Sequence, residues 1–373
     1  MSNKIKLIII EKNYIIQSEI SMSLMITKQE IDSRSGSLPE RYSALVENTP
    51  AGSIDPFFID RCTTSGKGAK GIAEKITLTL HHHKQVERET DAEKKEIRDA
   101  EFLTSRLADR EMEEGEVVHL SDGYFFVEKT FVAGGAYVSL LQDLEKKMPP
   151  KLICRGTALR RTATGGYLSG LNDVQKNIGS LGVDSIWREL STYLRDAHIA
   201  KLSVFGKSLG GAHAQILSVK LEKECAITVD RLVTVCSVGV SDEIHALFKE
   251  HIAKRATPFT IDVIRNGGQE RKEIDHIPLA GGAHLGHSAD RTKCKVNLTY
   301  IHTQNSIQAL PEVPSWDLYH FIASFISAHC RQTTLQNFFI KKIDDEAVDT
   351  HLMMGRRVEW YRQLIARPLS LFV

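Results

Sequence analysis

No stretch of this 373-residue chain carries 18 consecutive apolar residues, so no transmembrane helix is expected. The N-terminus reads MSNKIKLIIIEKNYII, and its longest apolar run, Leu7 to Ile10, ends at Glu11 and Lys12. That run is too short for the apolar core of a secretory signal peptide. The expected location is therefore cytoplasmic, or outside the cell by a route without a cleaved signal. Cysteine is sparse: the six are Cys62, Cys154, Cys225, Cys236, Cys294 and Cys330, and none form a C-x-x-C pair. Free, mostly buried thiols are expected, with Cys154 and Cys236 inside apolar strand-like runs. Net charge is nearly absent too, with 48 Lys+Arg against 47 Asp+Glu. Such a chain has no global field to draw it onto nucleic acid. Hydrophobic residues at 42% and charged residues at 25% exclude a wholly disordered chain, a collagen-like fibre and a disulfide scaffold. They leave ample apolar material for a core.

Residues 1 to about 118 differ from the rest. Positions 36–71 are loop-rich, and 84–117 are dense in charge, with few apolar residues before Phe102 and Leu103. Glu and Lys at helical spacings predict a solvated helix or pair of helices there. A surface that recruits a protein partner is the alternative. The division expected is an N-terminal extension of unknown role and partner over 1–118, then one domain over 119–373.

From about 119 the pattern predicts alternating strands and helices. Strands are expected at Tyr124–Val132, Lys151–Cys154, Lys201–Phe205, Arg231–Cys236, Phe259–Arg265 and Lys295–Ile301. Helices are expected at Ala136–Lys147, Val174–Arg195, Leu209–Glu222, Asp242–Lys254, Trp316–Cys330 and Asp344–Ile365. This is an α/β pattern, with a mostly parallel sheet covered by helices on both faces.

One local motif carries chemistry. Gly206-Lys207-Ser208-Leu209-Gly210-Gly211 is G-x-S-x-G-G, placed between a predicted strand and a predicted helix. That context makes Ser208 a nucleophile on a sharp strand-to-helix turn. Small residues on either side let the chain pass, and the helix N-terminus favours a developing oxyanion. A phosphate loop is excluded, because Lys201 stands where its first glycine is required. Ser65-Gly66-Lys67-Gly68 fails in the same way, with Arg61 in the glycine position.

A serine nucleophile needs a base and an orienting carboxylate, and in this chain order they follow the serine. The acid expected is Asp275, in the loop after the strand Phe259–Arg265. Asp262, inside that strand, reads as structural, and Asp242 as a helix N-cap. The base expected is His320, at the start of a late helix. His284, His287 and His329 remain rivals, with His287 the foremost alternative. The run His81-His82-His83 does not offer convergent metal ligands and reads as surface; no metal or cofactor is expected.

Over about residues 120–330 the chain resembles the fungal-type, or class three, triacylglycerol lipases, which are α/β-hydrolases. The resemblance rests on Ile153-Cys154-Arg155-Gly156-Thr157, the Ser208 turn with its Leu-Gly-Gly-Ala run, Asp275-His276-Ile277-Pro278-Leu279, and the late His320. It implies that Thr157 and the backbone N–H of Leu209 hold the oxyanion, and that the segment after Thr157 (158–170, with Arg160 and Arg161) is a lid. Lys207 stands where the family commonly has histidine, and Ser237-Val238-Gly239 lacks its usual proline and arginine.

The function expected is hydrolysis of carboxylic esters of lipids through an acyl-enzyme on Ser208, as in a lipase or phospholipase. Transient contact with a lipid interface accompanies it. The alternative is an inactive lipase-like fold that binds a lipid or a protein.

Overall fold

The computed structural model describes residues 4–11, 14–21, 82, 88–107, 112, 114–156, 178–267, 282–303 and 338–352. Strands β1 (Lys4–Glu11) and β2 (Tyr14–Ser21) form an antiparallel pair by themselves, with Ile5 opposite Ile20. Helix α1 (Ala92–Glu101) begins at Asp91, whose carboxylate accepts the N–H groups of Glu93 and Lys94. A π-helical turn, Phe102–Leu107, continues it. Then come β3 (Val117–Leu120), β4 (Gly123–Ala133), β5 (Ala136–Asp143), β6 (Lys151–Cys154), α2 (Ser180–Asp196), β7 (Lys201–Lys207), α3 (Leu209–Cys225) and β8 (Thr228–Val235). The described chain ends with α4 (Asp242–Ala253), β9 (Phe259–Asn266), β10 (Cys294–Thr303), β11 (Phe338–Lys342) and α5 (Asp345–Leu352).

Among the described residues, nine strands make one sheet in the order β11-β10-β9-β8-β7-β6-β5-β4-β3. Its centre, β6 to β10, is parallel, and both edges are antiparallel. From β6 to β9 the parallel strands alternate with helices, as the apolar periodicity predicts. Residues Leu152, Cys154, Leu202 and Val204 point to one face, where they share a core with α2, α3, α4 and α5. Ile153 and Phe205 point to the other, with Ile97, Ala100, Phe102 and Leu103 of the α1 segment. Both faces of these strands are dry, which is why they read as continuous apolar runs rather than alternating ones.

Two expectations fail here, for one reason: burial is set by the partner, not by local charge. The charged segment is helical, yet Arg98, Asp99 and Glu101 of α1 are buried against the sheet. Residues 97–103 share a core with Phe125, Ile153 and Val233, and β3 spans position 118. A cut at 118 would pass through that strand and that core. His82, read as surface, is buried; its ring stacks on Phe102 at 3.9 Å and its Nε2 lies 2.9 Å from Asp99. The other Asp99 oxygen accepts the Ser121 N–H and hydroxyl, tying α1 to the β3–β4 turn.

The segment 136–147, expected as a helix, begins with strand β5. Gly134 and Gly135 have φ of 57° and 87° and make a two-residue hairpin turn that pairs Ala133 with Ala136. Gly-Gly between two apolar runs is the hairpin signal, and it outweighs the helical spacing of the leucines. The strand ends where the Asp143 carboxylate accepts the N–H groups of Glu145, Lys147 and Met148 at 3.2, 2.7 and 2.8 Å. Asp143→Ala leaves those three donors unpartnered and is expected to lower stability by about 2 kcal/mol. Urea unfolding measures this as a lower midpoint at unchanged slope. Strand β11 is an addition that the sequence pattern missed. The N-cap of α4 is Ser241, which accepts the Ile244 N–H, so Asp242 is the first helical residue instead of the cap.

Cys154, Cys225, Cys236 and Cys294 are free thiols, all but Cys225 buried. Burial pushes the Cys154 thiol far up and that of Cys294 to about 12. Cys62 and Cys330 lie outside the described residues. No helix among the described residues is long and apolar enough to cross a membrane. The first residues, 174–177, of the helix expected at Val174–Arg195, the helix expected at Trp316–Cys330 and the C-terminal part of the last one lie outside the described residues.

Candidate active site

Ser208 sits where β7, a central strand, becomes α3. Its N–H reaches the Val235 carbonyl at 3.0 Å, one more rung on the β7–β8 ladder. The backbone then breaks sharply, to φ 55° and ψ −126° at Ser208. A residue with a Cβ is strained at that φ. The strain is held from both sides. A Cβ at Gly206 would lie 2.1 Å from the Gly210 carbonyl, and one at Gly210 would lie 2.3 Å from the Cys154 carbonyl. The glycines two before and two after the serine therefore let strand, turn and helix lie in backbone contact.

The Ser208 side chain makes no capping bond to the helix it begins. Serine at a helix start ordinarily caps; this one does not. Leu209 is the first helical residue, and its N–H is among those that α3 itself leaves unpaired. The first turn of α3 carries no acidic side chain to offset the positive end of the helix. The Leu209 side chain is buried with Ile178, Ala212 and Val238 in a small apolar cluster beside the turn.

The end of β6 lies directly against this serine. A Cβ at Gly156 would come within 3.3 Å of the Ser208 Cβ. The Arg155 N–H bonds the Tyr137 carbonyl at 3.0 Å, and its guanidinium lies 4.8 Å from the Tyr137 ring centre, which holds this end in place. Thr157 follows at once but lies outside the described residues, as do Asp275, His320, His329 and the segment 158–170. Their attachment points are described. Strands β6, β7, β9 and β10 are parallel, so Thr157, Ser208, Asp275 and His320 all follow strands that end at one edge of the sheet. Ligands of open α/β sheets bind at that carboxyl edge. The fold is α/β-hydrolase-like.

Two of the rival histidines are described. His284 is buried; its Nδ1 lies 2.8 Å from the Leu285 carbonyl and its Nε2 lies 2.9 Å from the Thr234 hydroxyl. With Nδ1–H donating and Nε2 accepting, both nitrogens are used and the ring is neutral. Burial first of all holds its pKa down to about 3, so it is a structural group, not a base. His287 has Ser288 Oγ 2.6 Å from its Nδ1 and meets the His245 ring edge-on at 5.9 Å. A Cβ on the adjacent Gly286 would touch Val296 and Ile261. Ile261 is level with Leu232 and Val204, four residues short of Ser208. Gly286 is thus roughly 13 Å back along the strands and two strands, roughly 10 Å, to the side. Asp262 is structural, as expected: it accepts from Arg231 and from Asn297.

The His284 geometry carries a pH dependence. The unfolded chain binds a proton at this ring below about 6.5, and the folded chain does so only near 3. Its contribution to stability is therefore complete above 6.5 and is lost as pH falls from 6.5 towards 3, by about 1.4 kcal/mol per pH unit. Urea midpoints measured from pH 7 to 4.5 should fall, and His284→Gln should flatten that decline while lowering stability at pH 7.

One residue of the site had no signal in the motif. Gln215, two turns into α3, is fully buried and bonds three segments at once. A lone polar residue in the otherwise apolar run Ala214 to Leu217 was its trace in the sequence.

No family model matches the chain, and no curated protein matches it. Solved structures do, and the three that follow superpose only in part. A triacylglycerol lipase from Penicillium expansum is similar over 56% of this chain and 80% of its own, at 14% identity and a TM-score of 0.32. The lipase from Rhizopus microsporus var. chinensis is similar over 41% of this chain and 55% of its own, at 20% identity and a TM-score of 0.27. Lipase II from Rhizopus niveus is similar over 47% of this chain and 66% of its own, at 19% identity and a TM-score of 0.28. The fold assignment rests on the strand order and the Ser208 turn.

Proposed function

We propose that this chain is a serine hydrolase that cleaves carboxylic esters of lipids through an acyl-enzyme on Ser208. The observation that supports this best is the Ser208 turn: a strained backbone and a hydroxyl that does not cap its helix, held against the end of β6 at the sheet's carboxyl edge. His320 takes the hydroxyl proton as Ser208 Oγ bonds the ester carbonyl carbon. Asp275 orients the imidazole and stabilises its cation. The Leu209 N–H and Thr157 hold the oxyanion, each donor worth roughly 3 kcal/mol. The imidazolium then gives its proton to the leaving alcohol, and water repeats the sequence to free the acid and the serine. Asp275 and His320 are assigned by chain order and by the strands they follow.

The lipid preference rests on the Arg-Gly-Thr piece and on the segment 158–170, which would cover an apolar acyl groove and meet a lipid interface. A fluorescent fluorophosphonate tests the chemistry: it should label the wild type and not Ser208→Ala. His320→Ala should abolish labelling and His287→Ala should spare it. A folded wild type that stays unlabelled, with and without lipid vesicles, would overturn the enzyme and leave a binding module.

A further inference from the structure

We propose that Gln215 is a positioning residue for this site, resting on the hydrolase reading above. It clamps the helix that carries Ser208 to the two chain segments that return from the sheet's carboxyl edge. Gln215 Nε2 donates to the Val238 carbonyl at 2.9 Å, to Ser237 Oγ at 3.0 Å and, more weakly, to the Gly211 carbonyl at 3.2 Å. Its Oε1 accepts the Leu285 N–H at 2.9 Å. The neighbours fix the amide's orientation, since Val238 and Gly211 offer only carbonyls and Leu285 only an N–H.

Each of these partners belongs to the architecture of the turn. Gly211 is in the first turn of α3, and its N–H bonds the Ser208 carbonyl at 3.0 Å. A Cβ on Gly211 would lie 2.2 Å from Ser237 Oγ, so the helix start and the 237–238 turn are in backbone-range contact. Ser237 Oγ donates onward to the Val238 carbonyl at 2.8 Å. The second segment, 282–285, is held to the first by the Val240 N–H on the Ala283 carbonyl at 3.1 Å. The His284 ring pins it to Thr234. Leu285 follows Asp275 by ten residues. Gln215 thus bonds the serine's helix to both segments. Apolar packing alone would bury this helix equally well. A fully buried amide with all its partners present is retained where geometry has to be unique.

A positioning role acts on the chemical step and not on probe binding. The test is therefore fluorophosphonate labelling resolved into the maximal phosphonylation rate and the half-saturating probe concentration. Gln215→Leu keeps the volume and loses every bond. Gln215→Glu keeps the acceptor for Leu285 and sets an oxygen against the Val238 carbonyl. Both are expected to lower the maximal rate per folded molecule by roughly ten- to a hundred-fold, with half-saturation within about twofold of wild type. A maximal rate within about twofold of wild type in either folded variant would overturn the proposal.

Should neither variant fold, Ser237→Ala removes one partner of the amide and is expected to lower the rate about threefold; no change would overturn the clamp. Should the wild type not be labelled at all, the hydrolase reading fails separately. Hydrogen exchange of the peptide containing Leu285 then decides: exchange at least tenfold faster in Gln215→Leu supports the clamp, and unchanged exchange removes it.

Discussion

Ser208→Ala should lose roughly four to six orders of magnitude in turnover of a short-chain ester, while Ser208→Gly should lose the same activity and gain stability. The two expectations come from one backbone angle pair, φ 55° and ψ −126°. An L-residue there costs about 1–3 kcal/mol, which the surrounding turn imposes. Alanine keeps the Cβ and therefore the strain, so its unfolding midpoint should match the wild type. Glycine removes the Cβ, and its stability should rise by about 1 kcal/mol net of the entropy it adds to the unfolded chain. Urea unfolding of the three proteins, beside their ester hydrolysis, separates the two effects. A glycine variant less stable than alanine would show that the angle pair is not the seat of strain. An alanine variant that still hydrolyses esters would move the nucleophile elsewhere.

Gly210→Val should be among the most damaging single substitutions outside Ser208. A Cβ at Gly210 would lie 2.3 Å from the Cys154 carbonyl oxygen and 2.5 Å from the Arg155 carbonyl carbon. Both are backbone atoms of β6 and its exit, so no side-chain rotation relieves the clash. Helix α3 has to move away from the sheet, and its buried residues from Leu209 to Leu221 move with it. The cost expected exceeds about 4 kcal/mol, a large share of the stability of an ordinary domain. Gly210→Ala should cost less in stability but should still slow labelling of Ser208, because the first turn of α3 carries both the serine's carbonyl partner and the Leu209 N–H. Thermal melts and fluorophosphonate labelling read the two losses separately. A Gly210→Ala protein with wild-type melting and labelling would show that the helix has room to retreat.

The parts of this protein that a linear reading found are those in which neighbours in sequence are neighbours in space. The Ser208 turn is nine residues of strand, glycine, serine, glycine and helix, and its conformation follows from steric limits on those residues alone. The central strands and helices α2, α3 and α4 followed from apolar spacing, because each buries its own faces. His284 stood among the rival bases because nothing in its sequence neighbourhood reveals that Thr234 and Leu285 take both of its ring nitrogens.

Most of the misses involve partners far along the chain. Strand β5 has leucines at helical spacing, and only its pairing with β4 and β6 makes it extended. Helix α1 has the composition of a solvated face, and only Phe125, Ile153 and Val233 make it part of the core. His82 is polar and flanked by histidines, yet Asp99 and Phe102 bury it. Gln215 has no motif, because its four bonds go to residues four, 22, 23 and 70 positions away. Local sterics and periodicity therefore decided the Ser208 turn and the α/β alternation. Which faces are buried, which histidines are spent on structure and what braces the serine's helix depend on long-range packing, which only the folded chain can express.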